Sequence, residues 1–213
     1  MIHVLYIKYS DPLSPARWNK LISQLPDNLK DKNARFVNWK DKHSNLFGKL
    51  LIDFGLKNIV HVNYTLADLK YNKYGRPFVD GFVDFNISHS GEYVICAISD
   101  NCKVGIDIQY IMEIEFLHFK NTMNDEQWKA IYNSIDPYKT FFTFWSTKES
   151  IIKADGRGLS IPLKELSVDK KVRCDNKEWY VKKLEIARNY TSYLTTNNNN
   201  SQITVTKIET ALL

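Results

Sequence analysis

Residues 144–158, FWSTKESIIKADGRG, carry Lys148, Glu149 and Lys153 at helical spacing. At about 100° per residue, Glu149 and Lys153 lie one turn apart at the edge of an apolar arc, and Lys148 projects near its middle. The simplest interpretation of Glu149 and Lys153 is an i,i+4 surface pair worth a few tenths of a kcal/mol. A lysine within an apolar arc, however, must extend its amine to solvent or meet an anion. We therefore interpret this helix as part of a phosphate-binding neighbourhood.

A second polar segment, Asn86–Gly91, gathers hydroxyl groups, an imidazole and a glycine just before an apolar run. Such a segment can hold a phosphate through side-chain and backbone amide donors. Ser88 and His89 also suggest a nucleophile and its base. Adjacent residues of a strand point to opposite faces, so this pair is poorly placed to act as a catalytic dyad. A single histidine of this kind is more often structural than catalytic.

Two further polar residues, Asp107 and Gln109, alternate with the apolar residues of the segment 104–108. Side chains of a strand alternate between its faces, so Asp107 and Gln109 share one face, about 6.6 Å apart along the strand. On alternation alone, the simplest interpretation is the solvent-facing side of a half-buried strand.

The elements that position these residues follow from periodicity and turn signals. Asn124 with Gln127 predicts a capping box at a helix start, Pro137 separates this helix from the next, and Gly156 ends the second one. Residues 71–82 and 197–200 are loop-like, and 159–195 are typical of strands and turns. The predicted strands are 2–9, 93–98 and 104–108, and the predicted helices are 15–24, 27–57, one from 124, and 138–154. The chain is therefore predicted to be an α+β protein.

Composition sets limits on the class of protein. The chain has 213 residues, of which 44% are hydrophobic and 25% charged, so it can fill a sizeable core. No apolar run approaches a membrane span, and the N-terminus lacks the features of a secretory signal. Three cysteines without metal-ligand spacing argue against a disulfide scaffold or zinc site, and we expect a cytoplasmic protein. The net charge of +5 suits an anionic partner but is too small to indicate nucleic acid by itself.

Taken together, FNISHSG, GIDI and FWSTKESIIKADGRGLS resemble the Sfp-type 4'-phosphopantetheinyl transferases in order and spacing. Weaker agreement lies in KNARF, LFGKLLI and YGRP, and the resemblance covers roughly residues 2–170. It implies a pseudo-dimer of two similar α+β halves, 1–103 and 104–213, with the active site in the cleft between them. The residues alone leave the relation of the two halves open.

The resemblance also implies an activity. Family members transfer the 4'-phosphopantetheine arm of coenzyme A to a serine of an apo acyl or peptidyl carrier protein, release 3',5'-ADP and require Mg²⁺. They serve fatty acid, polyketide or nonribosomal peptide biosynthesis. By this resemblance we expect a cytoplasmic monomer that acts on coenzyme A and a carrier protein, without nucleic acid or membrane as partner.

Site residues follow from the same resemblance, position by position. Those matching the metal-binding positions are Asp107, Gln109 and Glu149. Those matching catalytic positions are Glu149, Lys153 beside the transferred phosphate, and Glu126 as the base for the carrier serine. Those matching coenzyme A-binding positions are Lys32, Arg35, Arg76, Ser88, His89 and Lys148. Acidic residues are common in a first helical turn, and a metal-bound water is an alternative base to Glu126.

Two departures from the family pattern keep alternatives open. Gln109 stands where better-known members have a glutamate, which removes one negative charge from the metal site. Ser44-Asn45 stands where relatives often have an arginine that grips the coenzyme, so affinity is lower or Lys30 or Lys42 compensates.

The first alternative is therefore a coenzyme A- or nucleotide-binding protein of the same fold with another acceptor or weak activity. The second is a non-enzymatic basic module that binds nucleotides or nucleic acid through its aromatic side chains. A pure binding module should tolerate Asp107→Ala, whereas a transferase should lose turnover.

Overall fold

Two four-stranded β-sheets and five α-helices form the protein in the computed structural model, which describes residues 1–213. The strands are β1 (Ile2–Lys8), β2 (Lys70–Tyr71), β3 (Pro77–Phe78), β4 (Asp84–Ser90), β5 (Tyr93–Ser99), β6 (Val104–Tyr110), β7 (Lys171–Cys174), β8 (Lys177–Leu184), β9 (Tyr190–Thr196) and β10 (Ile203–Lys207). The helices are α1 (Pro15–Ile22), α2 (Asp27–Ala34), α3 (Trp39–Asn58), α4 (Asp125–Tyr132) and α5 (Pro137–Asp155). The predicted mixed α+β class is confirmed. None of the helices has an apolar stretch long enough to cross a lipid bilayer.

The first sheet has the order β10-β1-β5-β4, and the second has the order β6-β9-β8-β7. All neighbours are antiparallel except β1 and β10, which run parallel. The strand that follows the polar tract 197–200 therefore returns to the first sheet, where it covers the edge of β1. Strands β2 and β3 form a separate small hairpin within the segment predicted to be a loop.

Local sequence signals account for most helix ends. The Asn124–Gln127 capping box is present at the start of α4, and α5 begins at Pro137 after the Asp136 cap and ends at Gly156, whose φ is +89°. The single helix predicted over 27–57 is wrong, because α2 and α3 are separated at residues 35–38. The Asn38 side chain accepts a hydrogen bond from the Lys40 N–H and starts α3 as a new helix.

The two sheets and the two long helices form successive layers. Helix α3 packs on one face of the first sheet over a core that includes Phe47, Leu51 and Phe85. The opposite face of that sheet contacts the second sheet, where residues such as Val4 and Ile106 share a smaller core. Helix α5 packs on the other side of the second sheet, against β6 and β9. Side chains of β6 therefore alternate between the inter-sheet core and α5.

Strands β4 and β6 are neighbouring edges of the two sheets, and side chains instead of a backbone ladder join them. Alternate β4 side chains accept hydrogen bonds from alternate backbone N–H groups of β6, at 2.8, 2.9, 3.4 and 2.9 Å: Asp84 from Val104, Asn86 from Ile106, Ser88 from Ile108 and Ser90 from Tyr110. We call this arrangement the β4–β6 seam. It satisfies edge N–H groups that would otherwise remain unpaired.

Gly105 allows α5 to lie directly on β6. A Cβ at this position would overlap the backbone atoms of Ser150 and Ala154 in α5. The absence of a side chain therefore sets the distance between strand and helix. This close approach brings the β6 residue Asp107 within reach of polar side chains on α5.

Candidate active site

A cavity of about 340 Å³ opens where the β4–β6 seam meets α5. Its lining consists of Ile87, Ser88, His89, Asp107, Gln109, Trp145, Glu149 and Lys153. Three elements that are distant in sequence thus contribute to one polar pocket, and six of the residues singled out from the sequence line it together.

Asp107 is the centre of this pocket and is fully buried. Its Oδ1 accepts hydrogen bonds from the Lys153 Nζ at 2.7 Å and the Ser88 Oγ at 2.9 Å. Its Oδ2 accepts from the Ser146 Oγ at 2.9 Å and from the Gln109 Nε2 at 3.1 Å. Four donors from β4, β6 and α5 therefore hold the carboxylate in one orientation. The solvent-facing interpretation of Asp107 is excluded by this burial.

Glu149 lies beside Asp107 and is half-buried. Burial raises the pKa of Glu149, and the negative charge of Asp107 raises it further, while Lys153 acts in the opposite direction. The pocket thus contains two carboxyl groups and one lysine, an arrangement that favours an additional positive charge when both carboxyl groups are ionised.

The donor set is suited to a hard cation whose remaining ligands come from a substrate. Mg²⁺ binds oxygen and commonly combines one or two protein carboxylates with phosphate oxygens and water. Asp107, Glu149 and the amide oxygen of Gln109 provide such oxygens in one cavity. The chain contains no cluster of three or more His, Cys, Asp or Glu side chains that could hold a metal by themselves.

His89 and Ser88 face this cavity with different partners. The Ser88 hydroxyl donates to Asp107 and accepts from the Lys153 Nζ at 3.0 Å, so it is engaged with the carboxylate and not with His89. The surrounding protein lowers the pKa of His89, and the charge of Lys153 lowers it further. The imidazole is therefore neutral near pH 7 and able to donate a single hydrogen bond to a bound anion.

A second cavity, of about 290 Å³, shares Ile87 and Lys153 with the first. Arg76 lines it, but its guanidinium is occupied by both Asp84 oxygens at 2.9 Å and by the carbonyls of Lys153 and Val104, also at 2.9 Å. Arg76 thus braces β4, β6 and α5 against one another, and its predicted contact with the coenzyme stays a prediction.

The basic residues of α2 have few contacts within the protein. Lys32 lies over the Tyr71 ring at 4.2 Å from its centroid, at the side of the second cavity. Arg35 is exposed at the end of α2. Their predicted contacts with the coenzyme also stay predictions.

Comparison with known sequences gives the chain its family. A family profile described as 4'-phosphopantetheinyl transferase, N-terminal, matches residues 11–101, and one described as the 4'-phosphopantetheinyl transferase superfamily matches residues 103–205. The chain belongs to this superfamily. The family resemblance inferred from the motifs is thereby confirmed.

Individual relatives agree. The 4'-phosphopantetheinyl transferase gsp of Aneurinibacillus migulanus is 36% identical over 80% of this chain and 72% of its own length. The 4'-phosphopantetheinyl transferase Sfp of Bacillus subtilis (strain 168) is 33% identical over 77% of this chain and 75% of its own. Among solved structures, the Thermotoga maritima holo-[acyl-carrier-protein] synthase aligns with 44% of this chain and 61% of its own at 13% identity, with a TM-score of 0.35.

Lys148, which the sequence also singled out, lines neither cavity. Lys148 is fully buried on the far side of α5, where its Nζ donates to the Thr122 and Leu163 carbonyls at 2.8 Å and to the Gln127 Oε1 at 2.6 Å. These three acceptors use all the N–H bonds of the ammonium, so none is left for a coenzyme phosphate. Burial lowers the pKa of Lys148 to about 8.

Glu126 is exposed in the first turn of α4 and does not line the cavity. Its role as a base stays a prediction for the transferase.

Sequence reasoning missed Ser146, whose hydroxyl donates to the Oδ2 of Asp107. Helical spacing contained a signal, because Ser146, Glu149 and Lys153 are related by i, i+3 and i+7 and lie on one face of α5. Asn86 was also missed as a seam residue, although polar residues alternate through β4 from Asp84 to Ser90. In the transferase, the polar face of β4 thus has a structural role beside its place at the cavity.

Proposed function

We propose that the protein transfers the 4'-phosphopantetheine arm of coenzyme A to a serine of an apo acyl or peptidyl carrier protein and releases 3',5'-ADP. The observation that carries this proposal is the convergence of Asp107, Glu149 and Lys153 on one cavity in a chain of the phosphopantetheinyl transferase superfamily. Coenzyme A contains a diphosphate, and such a pocket with a bound cation would neutralise the charge of this group.

Magnesium is part of the proposal. Asp107 and Glu149, with the amide oxygen of Gln109 directly or through water, would hold the ion together with diphosphate oxygens. When bound, the ion supplies charge neutralisation at the diphosphate and at the departing nucleotide. Gln109 contributes no negative charge, so the protein's own share of the site is less negative than in relatives with a glutamate there.

In the proposed reaction, the serine oxygen of the carrier bonds to the phosphorus that carries the pantetheine arm. The bond from that phosphorus to the bridging oxygen breaks, and this oxygen leaves with 3',5'-ADP. Lys153 is the residue best placed to stabilise charge on the phosphate and to protonate the leaving group, because hydrogen bonds to Asp107 and Ser88 hold its Nζ at the cavity. His89 would donate a hydrogen bond to a phosphate oxygen. The serine proton passes to Glu126 or to water.

The architecture of the enzyme is proposed in the same terms. The two halves, 1–103 and 104–213, would be related as a pseudo-dimer with the active site in the cleft between them. Each of the two sheets has four strands and is packed against one long helix, which supports this relation. Strand β10 would then be an exchange from the second half to the first sheet. We also propose a cytoplasmic monomer that binds neither nucleic acid nor membranes.

The experiment that tests the function uses the full chain with coenzyme A, Mg²⁺ and a panel of apo acyl and peptidyl carrier proteins. Intact-mass measurement should detect one phosphopantetheine adduct on at least one carrier, and the adduct should be absent when EDTA replaces the metal. Asp107→Asn should abolish it. Asp53→Asn serves as the matched control, because Asp53 pairs with Lys57 on α3 at 2.7 Å and lines neither cavity.

The second candidate, a coenzyme A-binding protein of this fold with little transfer activity, is favoured by one observation, the neutral Gln109 beside Asp107. Calorimetric binding of coenzyme A without an adduct on any carrier would support it. An adduct that forms equally well with Asp107→Asn would contradict the proposed mechanism.

A further inference from the structure

Ser146 differs from the other three hydrogen-bond donors of Asp107 in its position. Ser88, Gln109 and Lys153 line the cavity, whereas Ser146 is fully buried in α5 and does not line it. Its Oγ donates to the Oδ2 of Asp107 at 2.9 Å from the interior of the protein. A ligand that enters the cavity therefore competes for the three cavity-side donors and leaves Ser146 in place.

A threonine of β9 sets the direction of the Ser146 hydroxyl. A serine inside a helix often returns its hydroxyl proton to the carbonyl four residues earlier, which here belongs to Phe142. That oxygen has two lone pairs, and the helix itself uses one of them. The buried Thr191 hydroxyl donates to the same oxygen at 3.1 Å and lies 3.2 Å from the Ser146 Oγ. Thr191 thus occupies the competing acceptor, and the Ser146 proton is left for the Asp107 carboxylate.

The same pairing of hydroxyl groups recurs one turn further along α5. Ser150 and Thr195 are fully buried, and their hydroxyl oxygens lie 2.7 Å apart. The Ser150 hydroxyl also contacts the Thr147 carbonyl at 2.7 Å, and neither side chain is hydrogen-bonded to Asp107. Two serines of α5 therefore pair with two threonines of β9, and only the first pair continues to a carboxylate. The second pair shows what such a contact contributes to packing alone.

We propose that Ser146 is a positioning residue of the metal site and that, together with Thr191, it holds Asp107 in its orientation when the cavity is loaded. The inference rests on the proposed function, in which the Gln109 amide presents its oxygen to the cation. An amide that turns its oxygen in this way no longer donates its Nε2 proton to Oδ2. Ser146 is then the donor that remains on this carboxylate oxygen.

A neutral donor suits this role. A hydroxyl restrains the carboxylate of Asp107 without cancelling its negative charge, whereas an ammonium such as that of Lys153 would repel a bound cation. Donors that orient a metal-binding carboxylate commonly change metal affinity by about 10- to 100-fold when they are removed. The hydroxyl of Ser146 should therefore affect the metal requirement more than the binding of the coenzyme itself.

The test measures coenzyme A binding by isothermal titration calorimetry without carrier protein, in EDTA and at a series of Mg²⁺ concentrations. In the native protein Mg²⁺ should tighten coenzyme A binding, and the concentration that gives half of the full effect reports metal affinity. Ser146→Ala should raise this concentration about tenfold, with the affinity in EDTA changed by less than about twofold. Thr191→Val, which is similar in shape, should raise it by about threefold because the Ser146 proton can then turn to Phe142.

Ser150→Ala and Thr195→Val are the matched controls. They remove the equivalent hydroxyl groups of the second pair, so we expect similar losses in melting temperature and an unchanged Mg²⁺ requirement.

Several outcomes would overturn the proposal. It fails if Ser146→Ala keeps the native Mg²⁺ requirement, if Ser150→Ala raises the requirement equally, or if Mg²⁺ does not affect coenzyme A binding by the native protein. An equal loss of affinity in EDTA would reduce Ser146 to a packing role. Thr191→Val provides the second variant if Ser146→Ala does not fold. A protein that shows the Ser146 effect but modifies no carrier would contradict the transferase proposal and leave this inference standing.

Discussion

Lys148 and Lys153 lie five residues apart on the same helix, and their surroundings differ in almost every respect. The Lys148 ammonium donates to three neutral acceptors, one in the turn before α4, one on α4 and one at residue 163. It thereby links these three segments to α5. Lys153 faces a cavity and is paired with the Asp107 carboxylate. The same residue type thus acts as an internal brace in one place and lines the cavity of the proposed active site in the other. The difference lies in the partners, which the helical pattern does not reveal.

The largest effect is expected when the contrast between Lys148 and Lys153 is tested by removing the charge of Asp107, which pairs with Lys153. Asp107→Asn keeps the shape of the side chain but removes the carboxylate that would bind the metal and that pairs with Lys153. We expect kcat/KM for carrier modification to fall by about 10³-fold or more, with native circular dichroism. A folded variant with near-native turnover would remove Asp107 from the mechanism.

Lys153→Met should affect chemistry more than binding. The proposed lysine stabilises charge in the transition state, so we expect kcat to fall by about 10²-fold, while KM for coenzyme A changes by less than about threefold. Steady-state kinetics at saturating carrier protein measure the two parameters separately. A rise in KM at unchanged kcat would instead make Lys153 a binding residue.

Lys148→Met should give the opposite pattern. It removes the ammonium donor from the acceptors of Thr122, Gln127 and Leu163, and the last two keep one backbone N–H donor each. We therefore expect the free energy of unfolding to drop by about 2–4 kcal/mol. Turnover of the folded fraction should stay within about threefold of native. Urea unfolding and active-site-normalised kinetics test both, and a large loss of kcat in a stable variant would contradict a purely bracing role.

The same lysine predicts a pH dependence. Its pKa of about 8 in the folded protein lies below the value of 10.5 for an unperturbed lysine. Between these pH values the unfolded chain binds more protons at this residue than the folded protein, so the free energy of unfolding should rise with pH. Native protein should gain stability relative to Lys148→Met from pH 8 to 10.5. Parallel stability curves for the two proteins would exclude the shift.

Gln109→Glu should produce the smallest effect, and it tests the metal site in the cavity that Lys153 lines. The new carboxylate would lie beside Asp107, where the Gln109 amide now donates at 3.1 Å, and would repel it when no cation is bound. We expect the Mg²⁺ concentration for half-maximal activity to fall by about three- to tenfold. Added Mg²⁺ should also raise the melting temperature of the variant more than that of the native protein. An unchanged or higher requirement would argue against Gln109 as a metal-site residue.

Much of the fold could be predicted from local signals. The apolar runs of β5 and β6, the capping box of α4 and the Pro137 and Gly156 limits of α5 depend on neighbouring residues, and all are present. The break between α2 and α3 was missed, because the helical periodicity hides the cap at Asn38. Strand β10 was missed because its pairing with β1 depends on residues about two hundred positions away.

The candidate site was only partly accessible to the same reasoning. The motifs marked Asp107, Glu149 and Lys153, but their meeting depends on Gly105, which sets the contact between β6 and α5. The partners of Lys148 include two backbone carbonyls, which carry no sequence signal.

The β4–β6 seam has a consequence for how the chain can vary. Its acceptors occupy every second position from Asp84 to Ser90. A single-residue insertion within β4 would turn the acceptors that follow it to the opposite face of the strand, and the β6 N–H groups that donate to them would lose their partners. Insertions or deletions of two residues would preserve the alternation. Natural length changes in this strand should therefore occur in even numbers of residues, which keep the acceptors on the face that meets β6.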